Sequence, residues 1–210
     1  MASLLKIDVS PRGDHSVSRK LGNQILEHFN KTFPGSTVVT RDLATTAMPF
    51  VDLPWIMGAY SPEEARTPEG KAALKLGDEF IAEIEAAEHI LLTTPMYNFA
   101  VPAALKAWID HVVRVGKTFK VNSDGSYAGL VQGKKAIVVV ASAGAYAPGT
   151  PAETYNVETP YLKQILGFIG ITDVAFIEAG GTYVLNSGKT SIDEFVTQFA
   201  PKVEALATAR

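Results

Sequence analysis

Residues 90–99, Ile-Leu-Leu-Thr-Thr-Pro-Met-Tyr-Asn-Phe, decide the class of this fold. The first five are an apolar, β-branched run of strand length, and Pro95 stops it by removing a backbone donor. A run with no polar alternate suits a strand covered on both faces, the condition of a parallel sheet. Working outward, similar runs recur at 4–9, 37–40, 136–141 and 174–177, so five strands are expected. Helical stripes separate them. Val17, Leu21, Ile25 and Phe29 form one; Leu105, Trp108, Ile109, Val112 and Val113 another; Tyr161, Leu162, Ile165, Leu166 and Ile169 a third. Thr159 followed by Pro160 reads as an N-cap and first helical residue. A last helix opens on the capping box Ser191 to Glu194, carries Ile192, Phe195, Val196 and Phe199, and is expected to kink or end at Pro201.

Strict alternation of these elements implies right-handed crossovers that place helices on both faces, an α/β domain spanning 1–210. Lys6 and Asp8 resist the pattern, because they put polar groups on one face of an interior strand; pairing, or a strand nearer an edge, would reconcile them. Two insertions break the alternation. Residues 46–68 hold Pro49, Pro54, Pro62 and Pro68 among Phe50, Trp55, Met57 and Tyr60, and read as a partly helical excursion. Residues 117–127 read as a β-hairpin turning near Asp124 and Gly125.

Composition narrows the function. The 210 residues, 47% hydrophobic and 20% charged, suit one globular domain with a full core. Nineteen basic against 22 acidic residues leave −3, so no basic field exists to hold nucleic acid. With no Cys there is no disulfide, thiolate cage or cysteine nucleophile, which fits a reducing compartment. The first apolar run meets Pro11 and Arg12 too early for a signal peptide, and no stretch nears the roughly 20 apolar residues of a membrane span. A soluble, cytoplasmic protein is expected, with no membrane partner. His15, His28, His89 and His111 lack metal-ligand spacing, so no metal site is expected; His111 is a proton donor or, more often in such a setting, a structural residue.

In an open parallel sheet, ligands bind beyond the carboxyl ends of the strands. Ser10, Ser16 and Ser18 follow the first strand and run into a helix start, where free N–H groups and the dipole favour a phosphate. The same serines also suit plain helix capping. The loop lacks G-x-G-x-x-G, so a mononucleotide fits better than a dinucleotide. After the third strand, Pro95, Met96, Tyr97, Asn98 and Phe99 can wall a flat heteroaromatic ring, or plug the sheet's end. After the fourth, Ser142, Ala143, Gly144 and Ala145 are small enough for close backbone approach. Two other motifs fail. Ser187-Gly188-Lys189-Thr190 ends like a P-loop but has Tyr183 where the first Gly belongs. Ser142 sits in an imperfect nucleophile elbow, with Val140 at the Gly position and the last histidine, His111, ahead of it in the chain.

Taken together, these loops resemble the flavodoxin-like, FMN-dependent NADH-azoreductases, which are also NADH:quinone oxidoreductases. The resemblance runs end to end: Ser10 and Ser16-Val17-Ser18, Pro95 to Phe99, Gly129-Leu130-Val131 leading to Gly133-Lys134-Lys135, and Thr159-Pro160-Tyr161-Leu162 leading to Phe168-Ile169-Gly170-Ile171-Thr172-Asp173. It implies a doubly wound five-stranded sheet of order 2-1-3-4-5. It further implies FMN held at its phosphate by Ser10, Ser16, Val17 and Ser18, at its isoalloxazine by Met96 to Phe99, and at its pyrimidine side by Ser142 to Ala145. A homodimer is implied too, with each flavin near the interface. Many members read Ser-Arg-Gly-Gly where this chain has Ser142-Ala143-Gly144-Ala145, a departure that bears on substrate range and nicotinamide preference.

On that resemblance the expected activity is two-electron, ping-pong transfer of hydride from NADH or NADPH to quinones and azo compounds. The flavin carries the chemistry and no catalytic side chain is needed. The Asn98 backbone is expected at flavin N5, Phe119, Tyr127 and Phe168 at the substrate wall, and residues 55–60 over the partner's flavin. The rival readings are a flavodoxin-type electron carrier and a flavodoxin-like protein without cofactor. The small net charge and the two aromatic insertions favour the enzyme over the carrier.

Overall fold

A computed structural model describes residues 2–207. Five parallel strands, β1 (Ser3–Asp8), β2 (Thr37–Asp42), β3 (His89–Pro95), β6 (Lys135–Ala141) and β7 (Asp173–Ala179), form one sheet in the order β2-β1-β3-β6-β7. The remaining two, β4 (Phe119–Val121) and β5 (Tyr127–Gly129), pair antiparallel as the hairpin expected at 117–127. Counting only sheet strands, the order is the 2-1-3-4-5 that the resemblance implied.

Helices cover both faces. On one side, α1 (Val17–Thr32), α6 (Ile192–Val196) and α7 (Ala200–Ala207) enclose a core with Leu21, Ile25, Leu91, Val139 and Ile177. On the other, α3 (Pro68–Ala86), α4 (Ala103–Val112) and α5 (Glu158–Ile169) enclose Phe80, Ile84, Leu105, Val138 and Leu162. Each such side chain is worth about 1.5–3 kcal/mol when removed from water. Among the described residues no helix is long and apolar enough to cross a membrane.

The insertion at 46–68 contains α2 (Leu53–Tyr60), which packs on α3 through Trp55, Ala59 and Leu74 and reaches α4 through Trp55 and His111. Two caps set its neighbours: Asp52 accepts from Trp55 N at 2.9 Å, and Thr67 from Gly70 N at 3.1 Å with Pro68 at the first helical position. His111 pins the insertion from inside. Its Nδ1 accepts from Trp55 Nε1 at 3.0 Å and its Nε2 lies 2.9 Å from Pro49 O, which requires the neutral ring with its proton on Nε2. His111 is therefore structural.

One alternative is decided, in favour of pairing, and two expectations change in detail. Lys6 and Asp8 are both buried and pair with each other, although β1 lies inside the sheet. Helix α5 starts before Thr159; Asn156 Oδ1 accepts from Thr159 N at 3.0 Å, so the capping side chain lies three residues upstream of the one the sequence suggests. The last helix breaks ahead of Pro201, in a tight turn at Thr197–Phe199, and Pro201 falls in the first turn of α7, where its missing N–H is not needed.

Candidate functional site

Three loops emerge at the carboxyl edge of β1, β3 and β6, strands that are neighbours in the sheet. The first carries the serines. Ser16 caps α1, its Oγ accepting from Arg19 N at 3.3 Å and standing 3.2 Å from Ser18 Oγ. Ser10, Ser16 and Ser18 are buried. The first intrahelical bond of α1 is Lys20 N to Ser16 O, so the N–H groups of Val17 and Ser18 lie ahead of the ladder. Hydroxyls and free amides at the positive end of a 16-residue helix suit an anion.

An ion cluster holds this loop from below. Arg19 Nε donates to Ser10 O at 2.8 Å, while its terminal nitrogens donate to both oxygens of Asp42 at 2.8 and 2.7 Å. Asp8, bound by Lys6, accepts from Thr93 at 2.7 Å and lies 3.4 Å from Arg19. The hydrogen bond from Arg19 holds the Asp42 carboxyl below its ordinary range and raises the guanidinium in return. Sequence reading missed Arg19, whose position on the helix looks solvated.

The second loop is a lip. Met96 N donates to Ala141 O, and Tyr97 and Ala100 exchange two backbone bonds of 3.0 Å. Between them Asn98 (φ 49°) and Phe99 (φ 69°) are the only non-glycine residues with positive φ among those described. Two successive positive φ values are what a type I′ turn requires, and Asn tolerates them. For Phe99 the conformation costs about 1–3 kcal/mol and must be held from outside. Phe99 O accepts from Val157 N at 3.0 Å and Glu158 N at 3.1 Å, and its ring stacks on Tyr155 at 5.2 Å with Tyr146 edge-on at 5.7 Å. Tyr97 and Phe99 keep their rings exposed.

The third loop is short and close. Ser142 Oγ donates to Gly144 O at 2.8 Å, and the Tyr146 ring lies so near Gly144 that a Cβ there would strike it. Ala143 lines, with Arg12, Val17 and Tyr183, an open depression of about 640 Å³, within the range small-molecule sites use. Ala145 follows, its carbonyl accepting from Thr150.

Phe119, Tyr127 and Phe168 come together as one cluster, with ring centroids 4.7, 5.4 and 6.1 Å apart. The hairpin reaches α5 because Gly129 and Gly170 meet backbone to backbone; a Cβ on Gly129 would collide with Ile169 and Gly170. This cluster sits at the end of α5 opposite the lip, about 15 Å from Glu158 by helical rise. It does not face the lip at close range. Among the described residues no His, Cys, Asp or Glu group could hold a metal.

The residues present fit FMN: buried hydroxyls and free helix amides for a phosphate, and a strained aromatic turn with exposed rings for a flat tricycle. Comparison with known proteins points the same way. Residues 2–203 match the family model described as a flavodoxin-like fold. The chain is 45% identical over 210 residues to an FMN-dependent NADH:quinone oxidoreductase of Trichormus variabilis, covering 100% of this chain and 98% of that one. It is 48% identical over 180 residues to another of that name from Nostoc sp., covering 85% and 86%. Among solved structures, the azoreductase from Bacillus anthracis superposes with a TM-score of 0.87 at 26% identity, covering 99% of each chain. An FMN-dependent NADH-azoreductase from that species, in complex with FMN, gives 0.86 at 25% identity over 99% and 98%.

Proposed function

Since the chain belongs to the flavodoxin-like family in which its relatives are FMN-dependent NADH:quinone oxidoreductases, we propose that it is an FMN-dependent NAD(P)H oxidoreductase acting on quinones and azo compounds. One observation carries the reading: full-length likeness to these relatives coincides with a hydroxyl-lined helix start and a strained aromatic lip on neighbouring strands. FMN, when bound, would supply two-electron hydride chemistry, for which ping-pong kinetics are expected.

The chain's own residues bind, orient and shield. Ser10, Ser16 and Ser18 would hold the phosphate with their hydroxyls, and the Val17 and Ser18 amides and the α1 dipole would balance its charge. Met96 to Phe99 would back the isoalloxazine, the Asn98 backbone N–H would be the donor offered to N5, and Ser142 to Ala145 would border the pyrimidine side. Phe119, Tyr127 and Phe168, lying along α5 from their own lip, are assigned to the substrate slot of a second copy. Phe50, Leu53, Met57 and Tyr60 expose an apolar surface on the α2 insertion, which supports a homodimer that shields the slot from water. The absence of Cys supports a cytoplasmic setting.

Anaerobic stopped-flow tests the reading. FMN-loaded protein should bleach on mixing with NADH or NADPH and recover colour with a quinone and with an azo dye. Ser18→Ala and Asn98→Ala should retain FMN less well or change its reduction rate. Folded protein that takes up no FMN overturns the proposal, and unaltered flavin content and kinetics in both variants reject the site assignments.

A further inference from the structure

Behind the lip, in the first turn of α5, lies an acid that the proposed reaction does not use. Glu158 is 0% exposed. Its backbone N–H grips Phe99 O, the outer end of the strained turn. Its carboxyl has a single partner: Oε1 stands 3.1 Å from Thr94 Oγ1, and the buried Oε2 has none. Thr94, also 0% exposed, lies 3.1 Å from Pro95 O as well, at the inner end of the lip.

Hydrogen counting distinguishes the two charge states. An ionised carboxylate only accepts, so the one Thr94 hydrogen would be claimed by both Glu158 Oε1 and Pro95 O, and Oε2 would carry charge with no donor. The un-ionised acid removes both conflicts. Its O–H donates to Thr94 Oγ1, Thr94 donates to Pro95 O, and Oε2 remains a neutral carbonyl oxygen. We propose that Glu158, carrying its proton, is a positioning residue that locks the Thr94–Phe99 lip for the flavin through the Thr94 hydroxyl and the Pro95 carbonyl.

Burial raises the Glu158 carboxyl to about 8, opposed only by the Thr94 hydrogen bond. The surrounding elements carry Tyr97 on the lip, Tyr146 and Tyr155 before α5, Tyr161 on α5, Glu178 on β7, and Lys106 and Asp110 on α4. None of them contributes to that rise. The lock should accordingly open in mildly alkaline solution, since among the described residues no cation is paired with Glu158, Lys106 being bound to Asp110.

The inference rests on the FMN reading of the lip, and two readouts separate them. FMN affinity is measured by quenching of flavin fluorescence from about pH 6 to about pH 9.5 for wild type, Glu158→Gln and Glu158→Ala. Amide exchange at residues 96–100 is followed in the FMN-free proteins over the same range. Gln donates from Nε2 in place of the acid proton. If only the locked lip binds, the wild-type dissociation constant stays flat up to about pH 8 and rises about tenfold one pH unit above it. Glu158→Gln should match wild type at low pH and lack the rise, and Glu158→Ala should bind weakly throughout. Exchange in wild type should outrun that in Glu158→Gln only above about pH 8. Identical pH profiles for wild type and Glu158→Gln, or wild-type affinity in Glu158→Ala, overturn the lock. Lip exchange that follows Glu158 in a protein that takes up no FMN at any pH would instead reject the flavin reading.

Discussion

At the scale of the residue, a glutamate in the first turn of a helix normally reads as a solvated group that favours the dipole. Glu158 is the opposite, and only three-dimensional burial reveals it; nothing in its neighbours along the chain marks it. The serines and the aromatic lip were legible because their chemistry is local: hydroxyls before a helical stripe, and rings after a strand-stopping proline. Glu158 also taxes the fold. In the unfolded chain its carboxyl ionises in the ordinary range near 4.5, whereas in the folded protein it does so near 8, so between those values the folded state holds the extra proton. Its contribution to stability is whole below about pH 4.5 and is lost progressively as pH climbs to about 8, at up to about 1.4 kcal/mol per pH unit. Urea unfolding of wild type and Glu158→Gln should therefore give curves that separate across this window, the variant gaining on wild type as pH rises. Parallel curves would mean the acid is ionised in the native protein.

Among elements, the five strands and the stripes of α1, α4 and α5 were readable from periodicity, since each buries a regular face. The insertion at 46–68 was readable only as an irregular stretch, because its fastening is non-local: Trp55 and Pro49 both meet His111, more than 50 residues away. Lys6 and Asp8 looked misplaced for a similar reason: they pair with each other, and the further cation and hydroxyl that Asp8 meets, Arg19 and Thr93, come from the next helix and from β3. His111→Ala would strand the Trp55 indole N–H in a buried site and cost about 1–3 kcal/mol. In a Trp108→Phe background Trp55 is the one remaining indole, and its emission should shift red at denaturant concentrations below the main transition. A single coincident transition would show that the insertion is held by packing alone.

For the whole molecule, the parallel sheet and its two helical layers follow from alternation and right-handed crossovers, whereas the strand order was legible only through the family resemblance. What a lone chain's pattern does not disclose is which surface meets another copy, because exposed rings and buried rings look alike in sequence. The structure separates them: Phe50 and Tyr60 are each 76% exposed while Trp55, on the same insertion, is buried. Leu53→Glu with Met57→Glu places like charges on a self-facing surface. Sedimentation should show dimeric wild type and a monomeric double variant with unchanged far-ultraviolet circular dichroism. A monomeric wild type would remove the dimer from the mechanism.

The contact between Gly129 and Gly170 makes the hairpin sensitive to the smallest of additions. Because main chain abuts main chain there, a single methyl group at position 129 would push the hairpin away from α5 and draw the Phe119 and Tyr127 rings off Phe168. Gly129→Ala should therefore loosen that ring cluster without altering any of its members.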